Sequence, residues 1–194
     1  MRKTKAFAAL AAIMLTASGC SMSAPPAATI APVEKPPVEI NVLGDYALLA
    51  GHTLYKSQNN AFSIQLPEGS AINDTDINNI TVTILGEFAT PDYINITRAE
   101  NAPVLDTEAK LMELLKDDNT IDITGFFLLR KDGGYEGYKY TYTSMSDPQL
   151  KGIKSTYFAA DVSAYIVTAT ANNGGDEINM TNLNTIVDTF INYN

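Results

Sequence analysis

Ile121-Asp-Ile-Thr-Gly-Phe-Phe-Leu-Leu-Arg130, then Lys131-Asp-Gly-Gly134, then Tyr135-Glu-Gly-Tyr-Lys-Tyr-Thr-Tyr-Thr-Ser144 reads as one long β-hairpin. The first run is rich in branched and aromatic side chains, which fit a pleated, half-buried surface. Asp132-Gly133 between two such runs favours a tight turn, because both central positions need positive φ. In the returning run Tyr138, Tyr140 and Tyr142 alternate, so their rings share one sheet face. Downstream, Ile153 to Ala159 and Ala164 to Ala171 make two more strands, joined near Asp161. Upstream, Phe62-Ser-Ile-Gln-Leu66 alternates apolar with polar and stops at Pro67, which cannot donate to a ladder. Thr81 to Leu85 and Tyr93 to Thr97 are short and β-branched. These runs predict an antiparallel meander.

Two helices accompany it. Asp106 can cap a helix through Lys116, with Glu108 near the positive end of the dipole. Its Leu111, Leu114 and Leu115 fall on one face. A second helix spans Asp176 to Ile191. There Leu183, Ile186, Val187, Phe190 and Ile191 follow the i, i+3, i+4, i+7, i+8 pattern, so this stripe must dock on the sheet. The expected class is α+β: an antiparallel sheet of about six to seven strands flanked by two or more helices.

The first twenty residues carry a different kind of information. Arg2, Lys3 and Lys5 precede an apolar stretch from Ala6 to Ser18, and Ser18-Gly19 lead into Cys20, the one cysteine of the chain. A charged start, a short apolar centre and small residues at a cut site make a secretory signal. The stretch is shorter than the roughly 20 residues a spanning helix needs. Cysteine directly after the cut resembles a bacterial lipoprotein lipobox, with Ala17 where leucine is commoner. That resemblance implies a lipid thioether on Cys20. With about 0.8 kcal/mol per buried methylene and two chains or more, acyl groups alone would hold the protein on a membrane. Ser21 to Glu39 is rich in proline and alanine without helix or strand period, and reads as a semi-extended tether. The expected organisation is residues 1–19 as signal, 20–44 as lipidated cysteine and tether, and 45–194 as one α+β domain, of ordinary size for a single core.

Charge argues against two kinds of partner. The 194 residues hold 13 Lys and Arg against 22 Asp and Glu. Loss of Arg2, Lys3 and Lys5 with the signal leaves ten against 22, a net charge near −12. Such a surface does not suit nucleic acid, nor direct adhesion to anionic lipid. With Cys20 acylated, no disulfide is available, and the fold must rest on its core.

No catalytic group assembles from the motifs. His52 is the one histidine and reads as a surface or loop residue. No Gly-x-Ser-x-Gly elbow accompanies it, and zinc ligation of the usual nitrogen and sulfur kind has no second donor. Asp74-Thr75-Asp76-Ile77-Asn78 opens like a calcium loop, but Asn79 and Leu85 stand where glycine and glutamate belong, so a polar turn is expected. Asp117-Asp118 and Asp176-Glu177 are acidic, yet no spacing selects a catalytic pair, and the second is explained by a helix start. Gly174-Gly175 reads as a loop, without a phosphate-binding pattern. The Asn-x-Thr sequons at Asn73, Asn79, Asn95 and Asn179 carry little meaning in a bacterial lipoprotein. No catalytic residue, metal or cofactor is expected. The one candidate face is aromatic: Tyr138, Tyr140 and Tyr142, with Tyr157 and Tyr165 on neighbouring strands. It serves either as a platform for a sugar ring, small solute or partner, or as cross-strand packing under a helix. Packing is the expected use.

Three stretches together resemble the PsbP-like family, which includes DcrB-type bacterial lipoproteins. They are Phe62-Ser-Ile-Gln-Leu-Pro-Glu-Gly69, Ala164-Tyr-Ile-Val-Thr-Ala-Thr170 and Ile186-Val-Asp-Thr-Phe190. They occur in the family's order, with Ser70 at the place of its tryptophan, and the likeness spans about Leu54 to Asn194. It implies an α/β/α sandwich, action through partner surfaces and no transferred catalytic residue. The resulting expectation is an extracytoplasmic lipoprotein, non-enzymatic, bound to the cell membrane (or to an outer membrane) and to an envelope protein. Binding of a small solute or glycan by the tyrosine-bearing face is the alternative. A hydrolase using acidic residues ranks below both.

Overall fold

The computed structural model describes residues 38–41, 47–85, 90–160, 163–172 and 177–193, all within the unit Lys35–Asn194. The signal, Cys20, the tether up to residue 37, Asp161, Gly174, Gly175 and Asp176 lie outside the described residues.

The central hairpin pairs β7 (Ile121–Lys131) with β8 (Gly134–Ser144). Asp132 and Gly133 hold φ of 50° and 79°, the two positive values the Asp-Gly turn requires. The meander continues into β9 (Lys151–Phe158) and β10 (Ser163–Ala171). From β10 the sheet passes to β6 (Asp92–Glu100), β5 (Asn79–Ile84) and the short edge strand β4 (Ala71–Asn73), all antiparallel. At the opposite edge β1 (Val38–Asn41) lies parallel to β7. The sheet order is β1-β7-β8-β9-β10-β6-β5-β4. Seven strands are thus antiparallel, and the parallel eighth comes from a stretch that reads as tether in sequence.

A second sheet is absent from the sequence reading. It consists of β2 (His52–Lys56), β3 (Phe62–Pro67) and β11 (Ile191–Asn192), in the order β11-β3-β2. Strand β3 is buried on both faces, so Ser63 and Gln65 are enclosed along with Phe62, Ile64 and Leu66. Strand β2 lacks period-2 patterning because only Tyr55 of its apolar side chains packs on the core, while Leu54 points out.

Two helices cover opposite faces. Helix α1 (Glu108–Leu114) is capped by Thr107, whose hydroxyl accepts from the Lys110 N–H at 3.3 Å. Asp106 is not the cap; its carboxylate pairs with the Lys110 ammonium at 2.7 Å. Leu111 is buried with Leu105, Phe126, Leu128, Tyr138 and Tyr140, whereas Leu114 stays exposed. Helix α2 (Glu177–Asp188) sets Leu183, Ile186 and Val187 into the other face, against β3, β9 and β10. It ends before Phe190 and Ile191. Tight turns from the Thr189 N–H to the Ile186 carbonyl and from Phe190 to Val187 close it. The unpaired edge of β3 then recruits the chain as β11, with Ile191 opposite Ser63. Phe190 stays in the core, 4.7 to 5.8 Å from the rings of Tyr157, Phe62 and Tyr165.

Candidate functional site

Helix α2 packs on β3, β9 and β10, and a crevice opens along each flank. The first, about 330 Å³, lies between Phe127, Lys139 and Ile153 of the sheet and Met180, Thr181 and Asn184 of the helix. Its floor holds a closed charge network. Lys139 is only 1% exposed. Its ammonium donates to Asp188 Oδ1 at 2.6 Å and Asn184 Oδ1 at 2.9 Å, and sits 5.7 Å from the centre of the Phe127 ring. Asn184 Nδ2 in turn donates to Asp188 Oδ2 at 3.0 Å. A buried ammonium is tolerated because its donors are met and its charge is paired. This network locks α2 to β8, with the Lys139 ammonium enclosed at its centre.

The second crevice, about 270 Å³, lies on the opposite flank of α2. Pro67, Ile84, Leu183 and Ile186 give it an apolar lining, while His52, Asp92 and the amides Asn179 and Asn182 supply polar groups. His52 Nδ1 lies 2.9 Å from the Ala50 carbonyl oxygen. That oxygen can only accept, so Nδ1 carries the hydrogen of this contact. Asp92 is 8% exposed and accepts from the Asn172 N–H at 3.0 Å, joining the ends of β6 and β10.

The five candidate tyrosines do not make one surface. Tyr138, Tyr140 and Tyr142 share the α1 face, whereas Tyr157 and Tyr165 project to the α2 face. The register explains this: Tyr157 pairs with Gly137, one residue out of step with Tyr138, and Tyr165 pairs with Tyr157. Tyr138, Tyr140, Tyr157 and Tyr165 are buried. Tyr142 packs over Gly152, where an added Cβ would lie 2.3 Å from its ring. Burial pushes the Tyr138, Tyr140 and Tyr142 phenols up. Tyr157 instead donates to the Val187 carbonyl at 3.0 Å.

The remaining candidates are local structure. Asp74 accepts from the Tyr55 hydroxyl at 3.0 Å, and Asp76 Oδ1 accepts from the Asn78 N–H at 2.9 Å, so this loop turns its oxygens on its own chain. Asp118 accepts from the Thr120 hydroxyl and N–H, which hold its carboxyl below the usual range. Among the described residues, no group of three or more His, Cys, Asp or Glu is placed to hold a metal ion. Nor is any helix among them long and apolar enough to cross a membrane.

Asp92, Asn182 and Lys139 escaped the sequence reading. A signal existed for Lys139: a lone ammonium among strand aromatics, with Asn184 and Asp188 four apart on a helix. None existed for Asp92, which comes to line the same crevice as His52 and α2 only through the arrangement of the strands.

No protein-family model matches the chain, and no curated protein matches it. Solved structures do. The solution structure of PsbP (CyanoP) from Synechocystis is similar at a TM-score of 0.53 and 12% identity, covering 75% of this chain and 94% of that one. A mutant of protein Mog1 is similar at 0.50 and 9%, covering 72% and 94%. At such identities the likeness concerns the fold: the chain has the PsbP-like α+β architecture.

Proposed function

We propose that this PsbP-like domain is the extracytoplasmic part of a DcrB-type lipoprotein, held on the membrane by acyl chains at Cys20, and that it binds an envelope protein without catalysis. The observation that carries the binding role is a pair of sheet edges that no further strand covers among the described residues. Strand β2 ends the small sheet and β4 ends the large one. Asp74, just after β4, accepts from Tyr55 of β2 and, through its carbonyl, from Gln58 at 3.1 Å, so the two edges are tied together. Leu54, Ile72 and Ile77 are exposed on these segments. Unpaired strand edges beside apolar side chains are a template for an added strand. An extended segment of an envelope protein fits them.

The alternative, a glycan or solute on the tyrosine-bearing face, loses its platform because Tyr138 and Tyr140 are covered. The hydrolase reading needs two facing carboxylates. Among the described residues Asp92 is the one carboxylate lining the second crevice, and at the first Glu177 is joined only by Asp188, which Lys139 holds.

Crosslinking in intact envelopes, followed by purification of the full chain, tests the proposal. A discrete crosslinked partner is expected, and Leu54→Lys combined with Ile72→Lys should remove it while the protein remains folded. A crosslink pattern identical in the double variant overturns the assignment of the surface.

A further inference from the structure

We infer that the crevice between α2 and the ends of β5 and β6 binds a small organic ammonium ion, with Asp92 as its counter-ion. This does not rest on the partner-binding reading.

Asp92 is more than nine-tenths buried and lines the crevice. Its hydrogen bond from the Asn172 N–H occupies Oδ1, and among the described residues no Lys, Arg or His pairs with it. Neither 85–92 nor 172–182 contains a Lys or Arg. An enclosed carboxylate without a cation is costly, so the chain spends stability here that a bound cation would return. An asparagine would serve the strand-end hydrogen bond equally well, through its carbonyl oxygen.

The lining chooses the kind of cation. A metal ion would need further hard or imidazole ligands, and no cluster of three surrounds the site among the described residues. Pro67, Ile84, Leu183 and Ile186 instead offer an apolar bed for methyl or methylene groups. His52, with Nδ1 committed to Ala50, adds an acceptor at Nε2 when neutral. An ammonium head and a short carbon body match both halves. The volume of about 270 Å³ is below the ~300–1,000 Å³ of sites for drug-sized ligands, so the ligand is small. The acidic surface raises the local concentration of any cation.

Titration calorimetry on the full chain in nonionic detergent tests this, with choline, putrescine and butylammonium as probes and zinc and acetate as controls. At least one amine should saturate at one site, with Kd below about 1 mM. Asp92→Asn should weaken it tenfold or more with the unfolding midpoint unchanged or raised. Thr185→Trp, on the exposed side of α2, should block the mouth while leaving Asp92 in place. The inference is overturned if no amine saturates, if binding survives Asp92→Asn, or if zinc or acetate takes the site instead. Loss of envelope crosslinks would leave this titration unchanged, and the reverse holds too.

Discussion

At the level of single residues the molecule depends on a few enclosed groups. Lys139 reaches solvent by 1% of its area and relies on Asp188. Asp188→Ala strands that ammonium. Breaking a fully buried pair costs about 3–5 kcal/mol; Asp188 is a quarter exposed, so about 2–3 kcal/mol is expected by urea unfolding. Lys139→Met should cost less, since the remaining carboxylate can hydrate. Gly137 tolerates no side chain: a Cβ there would lie 1.8 Å from the Thr156 carbonyl oxygen, and backbone cannot rotate aside. Gly137→Ala should cost about 3 kcal/mol or more, beyond the usual overpacking range. The tyrosines give a pH signature. Burial, then the hydrogen bond to Asp74 and its charge, pushes Tyr55 up to about 12. Burial first also raises Tyr135 to about 12, against the bond its hydroxyl gives to the Leu105 carbonyl. The folded state holds these protons more tightly than the unfolded chain, whose phenols titrate near 10. Stability is therefore intact below pH 10 and falls between about 10 and 12. Phenolate absorbance should show late-ionising groups, with unfolding free energy falling over the same window.

Elements differ in how firmly they are held. Helix α2 is fixed by its stripe, by the Lys139 network and by Thr189, whose hydroxyl accepts from the Gln65 N–H at 2.9 Å. Helix α1 is short, with Leu111 its one buried residue. It leans on its cap, so Thr107→Ala should lower stability by about 0.5–1 kcal/mol. Amide exchange should show α1 opening before α2. The sequence pattern revealed the long strands and both helices, because period and turn chemistry are local. It passed over β2, β4 and β11, which are short or unpatterned and exist because a neighbouring edge offers backbone partners. It also extended the second helix through Ile191, since Phe190 and Ile191 keep helical spacing while the chain has already turned away.

For the molecule as a whole, the proposed anchor makes a direct demand. Cys20→Ser should leave the precursor unprocessed or shift the protein from the membrane to the soluble fraction on cell fractionation. Normal maturation and retention would reject lipid anchoring. Linear order alone was enough to read the hairpin, the α+β class and the acidic balance, since each depends on neighbouring residues, their spacing or their total. The split of the tyrosines between two faces depends on register across β8, β9 and β10. The crevice depends on more distant meetings, such as Asp92 with Asn172, eighty residues apart. Such encounters are set by which strands pair and where a helix docks, and periodicity along the chain carries no record of either.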